Sequence, residues 1–576
     1  MPPPLALASA SAAAAAPPPV GGGRSTLGSA FLLLFTSAAG AGLLSYPFAA
    51  LHQGLLLNAA LTGAFAACNF LTDASLLQTA ALFRASRALR ECTFEELCFR
   101  ALGHRAYVAG VVIIVVGVFG ALVGYSIVVG DMLEPVAQHL CGGDACAYKA
   151  LASRGVLIPA FALLVALPLS SLKRLHALAW SNVLAAASVL AVAALVASRG
   201  AGRLGGGDVT AATVAPPGSA AANSAADAPL VLARFQAVGI LLGVPISIFS
   251  LGNHSQVVAS YCDLAPAQQR LFLRPLLGAL FACVALYVTC GVCGYAAFRD
   301  ATRGDVLLNF PVGADALADA AKALLGVHIM LAYPVLLTPA RWSIATLLRA
   351  TAARGGSTAA AAAGSDEQAR GGAAHLLAAR VVSAFATSTL LQSALLVSAS
   401  ALLAVLAPQV SVVFGLVGST VATAQIYILP GLCLLKWAEV WASEAEGSAG
   451  GAALDDADER DGVPLLGLTT LAAGTAAAAG EAEAAALAGP YSDGWLDSDR
   501  ERVWRSAAAV VRRADALEAA GRSAGDDAEA ALVYMPSYLS RSPAVLRAQA
   551  YFLLALGTFV MVASTAIYIW STWFDS

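Results

Sequence analysis

Apolar residues in this chain come in long runs almost free of charge, and those runs carry the first reading. Residues 107–129 and 175–198 each pass more than twenty positions with one charged residue or none. That is the length a hydrocarbon core about 30 Å thick demands of a helix. Eleven segments of this kind predict membrane helices: 27–51, 55–83, 107–133, 155–170, 175–198, 235–251, 275–298, 321–348, 381–406, 410–437 and 546–570. The fourth is short and bounded by Pro159 and Pro168. No stretch alternates at period two, so a β-barrel is excluded.

Composition agrees. The 576 residues are 59% hydrophobic and only 12% charged, with a mean hydropathy of +0.74. A soluble domain is nearer a quarter charged, so a soluble enzyme, a secreted disulfide module and a disordered protein are all excluded. Net charge is −3, and no basic surface points to nucleic acid. Loop charges orient the chain. With the N-terminus in the cytosol, inner loops hold Arg84, Arg87, Arg90, Arg100, Arg105, Lys173, Arg174, Arg270, Arg274 and Arg341. The bias toward that side supports an N-terminus inside and the count of eleven. Residues 1–26 read as a disordered cytosolic tail without the charged start of a signal peptide. Residues 199–234 read as a flexible outer loop, and 438–545 as a mostly disordered cytosolic loop with acidic clusters. A cytosolic partner for 438–545 is the sharper alternative.

Most of the ten cysteines sit inside apolar runs. Cys290 and Cys293 form a CxxC on a predicted membrane helix without a second pair, so helix packing is preferred over metal or redox chemistry. Cys141 and Cys146 share a short polar loop and are candidates for a small disulfide if that loop faces an oxidising compartment.

Candidate chemistry lies where helices break. A membrane helix that opens a binding site must free backbone from its own ladder, and Gly and Pro do this. The first segment holds Gly40-Ala41-Gly42-Leu43-Leu44-Ser45-Tyr46-Pro47. Unwound amides there suit a carboxylate, while close helix packing through small residues is the plainer reading. The sixth holds Ser250-Leu251-Gly252-Asn253-His254-Ser255-Gln256, a polar run at membrane depth that needs a cavity or a protein interior. The two breaks are five segments apart, the spacing of two five-helix halves, and such pairs point to a transporter site. Asp73 and Asp131 fall near predicted helix ends and read as capping or interfacial groups. His254, inside the second break, titrates near neutrality when unperturbed and is a candidate for proton exchange. His328 reads as a satisfied interior histidine. A membrane enzyme would need a clustered reactive constellation, which the sequence around His176 and His254 lacks.

These motifs together resemble the amino-acid/auxin permease family, in its neutral amino-acid (system A/N) branch. Gly40 to Pro47 is similar to that family's first-span signature. Gly120 to Tyr125 with Gly130-Asp131 resembles its third span, and Phe249 to His254 with Tyr261 its sixth. Tyr333-Pro334 with Pro339-Ala340-Arg341 resembles its eighth, and Val413 to Thr420 through Leu429-Pro430 its tenth. The resemblance covers roughly residues 27–436 plus the last segment. Thr36 stands where sodium-coupled relatives often have Asn, Ile329 to Ala332 lack a hydroxyl, and Asn253 and Ala259 replace Cys and Pro.

The resemblance implies an all-α polytopic membrane protein with eleven transmembrane helices. Residues 27–198 and 235–437 would form a LeuT-type five-plus-five inverted repeat, and residues 546–576 the extra helix and a short outer tail. It implies secondary transport of small neutral L-amino acids by alternating access, without an organic cofactor or metal, coupled to H+ or Na+. Gly40, Ala41, Gly42, Tyr125, Ser250, Gly252, Asn253, His254, Gly415 and Ser419 are the expected substrate residues, and Thr36 and His254 the expected coupling-ion residues. The expected home is the plasma membrane or a vacuolar or lysosomal membrane. An amino-acid sensor with weak flux, signalling through the 438–545 loop, is the alternative.

Overall fold

In lipid, a backbone amide finds no water, so each apolar run closes its own hydrogen bonds and becomes a helix. The computed structural model describes residues 25–85, 89, 92–141, 150–171, 181–204, 230–361, 385, 388–407, 409–455, 500–509 and 542–574. These are almost wholly helical, with one isolated bridge between Ser25 and Leu264. Expectations for the tail, for most of 199–234 and for most of 438–545 fall outside the described residues.

The chain begins with α1, Leu27–Ala38, capped by Thr26, whose hydroxyl accepts from the Ser29 amide. After a break it resumes as a 3-10 turn, Ala41–Ser45, and α2, Tyr46–Gln53. Gly54, at φ +83°, then turns the chain into α3, Leu55–Ala85. A short amphipathic helix, α4, Phe94–Leu102, precedes the long α5, His104–Leu140. The fourth segment is α6, Arg154–Phe161, and α7, Leu167–Ser170, joined through a π turn. Next come α8, Ser181–Leu204, then α9, Ala237–Ser250, and α10, His254–Cys262. The rest is α11, Leu273–Phe298, α12, Ala316–Ala361, α13, Thr389–Leu406, α14, Val410–Val417, α15, Leu429–Asp455, and α16, Pro543–Phe574. Two π turns, Gly418–Ala422 and Ala424–Ile428, lie between α14 and α15.

Among the described residues, nine helices are long and apolar enough to cross a bilayer, and α1 with Ala41–Gln53 makes a tenth candidate bent by 43°. Arg154–Ser170 is apolar but shorter. One expectation changes here. The sixth segment does not end near Leu251 but continues through α10 to Cys262. Its polar residues end the apolar run in sequence, yet in space they are buried against neighbouring helices.

The broken helices sit centrally. α11 packs on α1 and α3, α9 packs on α2 and α14, and α5 packs on α12 and α13. Asp131 pairs with Arg154 at 3.3 Å, and that guanidinium also reaches the carbonyls of Ala404 and Ala407 at 3.0 Å. The pair thereby ties α5, α6 and the end of α13 together. α16 lies outside, against α15 and α9.

Helix 500–509, from the long loop, docks on the bundle. Trp504 is fully buried, donates from Nε1 to the Ala101 carbonyl at 3.0 Å, and packs between Phe83 and Trp437. Cys92 and Cys262 form a disulfide across 170 residues of sequence, which no local pattern foretold. Cys141 is also disulfide-bonded; Cys146, its expected partner, lies outside the described residues. Cys290 and Cys293 are free and buried, as a packing role requires.

Candidate functional site

The first break follows from Gly40-Ala41-Gly42 and Pro47. α1 closes with the Ala39 amide on the Phe35 carbonyl at 2.6 Å and the Gly40 amide on the Ala38 carbonyl at 2.9 Å. Ala41 and Gly42 then start a new helical segment, where the first amides of any helix have no intrahelical acceptor. Pro47 brings no N–H to the Leu43 carbonyl one turn back. That carbonyl accepts instead from the Tyr46 amide, and the Cys290 thiol also faces it at 3.8 Å.

The second break spans Leu251 to Asn253, between α9 and α10. Its freed carbonyls are met by side chains from other helices. The Tyr287 hydroxyl on α11 lies 3.1 Å from the Ser250 carbonyl and 2.6 Å from the Ala38 carbonyl of the first break, shared between the two. Asn69 on α3 donates to the Leu251 carbonyl at 3.1 Å and accepts from the Tyr427 hydroxyl at 2.9 Å. The breaks also touch directly: a Cβ on Gly42 would lie 2.3 Å from Ser250 Oγ. Tyr287, Asn69 and Tyr427 are the supports the sequence did not reveal. Each serves a carbonyl or amide far away in the chain, and no spacing rule connects them.

A cavity of about 650 Å³ opens between the breaks and the helices facing them, within the size range of small-molecule sites. Thr36, Gly40, Ala41, Gly42, Tyr125, Ser250, Gly252 and His254 all line it. From the facing elements come His328 of α12 and, before and along the π turns, Phe414, Val417 and Gln425. No Asp, Glu, Lys or Arg is among the described residues lining it. Thr36 turns its hydroxyl back to the Leu32 carbonyl at 2.8 Å. Ser250 Oγ is buried, has no partner in good hydrogen-bond geometry and lies beside the Tyr287 hydroxyl, so it can turn to a guest.

Three expected residues stand elsewhere. Asn253 is buried behind the cavity wall. Ser419 bonds to the Leu416 carbonyl and to Thr565 of α16. Gly415 faces Tyr568, whose ring carbon Cζ would lie 1.9 Å from an added Cβ, and the Tyr568 hydroxyl donates to the Leu242 carbonyl. Gly415 thus seats the last helix. Gly415→Ala is expected to destabilise by about 1–3 kcal/mol through overpacking. That effect is read as a lower melting temperature in detergent, with the KM for substrate unchanged.

Asp73 also departs from expectation. It is not interfacial: its side chain is fully buried, 3.4 Å from His254 Nε2. The α3 helix continues well past Asp73 to Ala85, so the residue lies inside the helix and not at its end. His328, by contrast, is satisfied by Ser188 at 2.9 Å, as an interior histidine should be.

Residues 23–447 match the family described as "Transmembrane amino acid transporter protein". The chain is 25% identical to Vacuolar amino acid transporter 6 of Saccharomyces cerevisiae, over 56% of this chain and 67% of that one. It is 26% identical to Amino acid transporter AVT6A of Arabidopsis thaliana, over 57% and 69%. To Sodium-coupled neutral amino acid transporter 7 of Xenopus laevis it is 26% identical, over 72% and 82%. With the family match spanning well over half of its length, this chain belongs to the transmembrane amino acid transporter protein family.

Proposed function

We propose that the protein is a secondary active transporter of small neutral L-amino acids, working by alternating access and driven by a gradient of H+ or Na+. The observation that carries this reading is the pairing of two helix breaks around one uncharged cavity. The amides of Ala41 and Gly42 suit the substrate carboxylate. The Ser250 hydroxyl and the carbonyls of the second break suit the ammonium group, since a carbonyl already bonded once keeps a second lone pair. A cationic or anionic substrate side chain would find no opposite charge on the lining, and burying such a charge unpaired is costly. The names of the relatives, neutral and vacuolar amino-acid transporters, support the same class.

In this scheme eleven helices cross the membrane, with segments one to five and six to ten as LeuT-type inverted halves and α16 outside them. The loop charges favour a cytosolic N-terminus, in a plasma, vacuolar or lysosomal membrane.

Purified full-length protein in proteoliposomes is expected to take up labelled alanine, serine and glutamine under an imposed pH or sodium gradient. Aspartate and lysine should enter at least tenfold more slowly. Equal uptake of all five, or none under either gradient, would overturn the proposal. The docked helix 500–509 keeps the sensor reading in view. Deleting 456–499 leaves flux intact in a carrier, whereas a sensor loses its downstream partner.

A further inference from the structure

The α3 helix carries one group that substrate binding does not use. Asp73 is fully buried, neither carboxylate oxygen has a partner in good hydrogen-bond geometry, and the Asn253 side chain is the neutral donor beside it. A buried polar atom without a partner calls for an explanation, and a dry, unpaired carboxylate is among the costliest. Its one ion-pair neighbour is His254, equally buried, whose Nε2 lies 3.4 Å from Asp73 Oδ1.

The tautomer follows from the surrounding bonds. Thr72 gives its hydroxyl proton to the Asn69 carbonyl at 2.9 Å. The same hydroxyl oxygen lies 2.6 Å from His254 Nε2, and it accepts there in the arrangement that keeps its proton on the Asn69 carbonyl. Nε2 then carries a hydrogen and Nδ1 is bare, and Nδ1 indeed has no partner. His254 lines the cavity while Asp73 does not. The imidazole itself is fully buried, so a proton reaches it from the chamber only when water enters.

We propose that Asp73 and His254 together form a proton-binding site behind the second break, loaded and unloaded through His254. A proton from chamber water adds to the bare Nδ1, and the imidazolium then neutralises the Asp73 carboxylate beside Nε2. Alternatively the Nε2 hydrogen passes to Asp73 as Nδ1 gains one, which leaves a neutral imidazole beside a carboxylic acid. Either way the pair binds one proton and its net charge goes from −1 to zero. The uncharged form is the one a dry interior favours, and release needs water to reach the pair. Opening of the chamber supplies that water, so proton binding follows the same access cycle as substrate.

Few other groups bear on the pair. Tyr427, neutral, faces Asp73 from the second π turn and has Cys68 nearby, and Asn253 lies beside the carboxylate. Tyr46 is bonded to Thr62, Tyr287 to the two break carbonyls, Cys433 faces Cys98, and Lys436 pairs with Glu439. No lysine or arginine forms an ion pair with Asp73 among the described residues. A sodium ion at Asp73 Oδ1 would meet the Nε2 hydrogen, which favours the proton over the metal.

This inference rests on the transporter reading, and its test separates the two. Full-length protein is reconstituted with a pH dye inside, acid outside and no sodium, and L-alanine is added. Wild type should acidify the lumen in step with alanine entry. Asp73→Asn, which mimics the protonated acid, should keep alanine-for-alanine exchange within threefold while gradient-driven accumulation and acidification fall at least tenfold. Asp73→Glu, which keeps a carboxyl, should retain both, with a shifted pH optimum.

If the wild type exchanges no neutral amino acid, the transport reading itself falls. Transport proceeds without proton movement, or on sodium alone, only if the proton site is wrong. Undiminished acidification in Asp73→Asn overturns the site equally. Should Asp73→Asn not fold, Asp73→Ser takes its place, and the same loss of acidification with retained exchange is required.

Discussion

Gly42→Val abolishes amino-acid uptake, at least a hundredfold, while the protein still reaches the membrane. Its Cβ would lie 2.3 Å from Ser250 Oγ and 3.3 Å from Ser250 Cα, so the two breaks must move apart. A serine hydroxyl can rotate away from one methyl, but a branched side chain also meets the backbone. Overpacking of this kind costs about 1–3 kcal/mol, too little to unfold a bundle of this size, so the loss falls on function. The added methyls also cover the amides offered to the carboxylate. Initial uptake rates normalised to surface protein check this, and normal uptake would remove the carboxylate assignment. Gly40 makes an internal control. Nothing lies within 4 Å of an added Cβ there, so Gly40→Ala leaves the packing alone.

Tyr287→Phe is expected to lower transport at least tenfold with little loss of folded protein. The ring stays stacked on Tyr46, at 4.6 Å between centroids. What disappears is the hydroxyl shared by the Ala38 and Ser250 carbonyls. Ala38 keeps the Gly40 amide, whereas among the described residues no other side chain donates to the Ser250 carbonyl. A buried acceptor left unsatisfied costs about 1–3 kcal/mol, and here the cost lands where the helices must stay open. Uptake kinetics beside a melting curve separate the two effects. Wild-type rates would show that the hydroxyl does not hold the breaks.

Much of this fold was legible in the sequence, because charge-free runs of twenty residues have few alternatives in lipid. Both breaks were legible for a similar reason, since Gly, Pro and clustered polar residues are expensive at that depth. The extent of the sixth segment was not. Ser250 to Gln256 look like a helix exit until Asn69, Thr72 and Tyr287 are seen beside them, and those partners lie tens to hundreds of residues away. Gly415 and Ser419 carry the same ambiguity in another form. A small residue in a motif permits close approach, but sequence does not say whether a ligand or another helix approaches. Here Tyr568 does. Asp73 was misjudged although the expected segment, 55–83, nearly matches α3, because the neighbour that buries it, His254, lies far away in the chain.

The berth of Trp504 on Phe83, Trp437 and the Ala101 carbonyl anchors helix 500–509 to the bundle. Truncating a buried tryptophan to alanine costs about 3–5 kcal/mol. A single substitution at the indole therefore frees helix 500–509 from its seat.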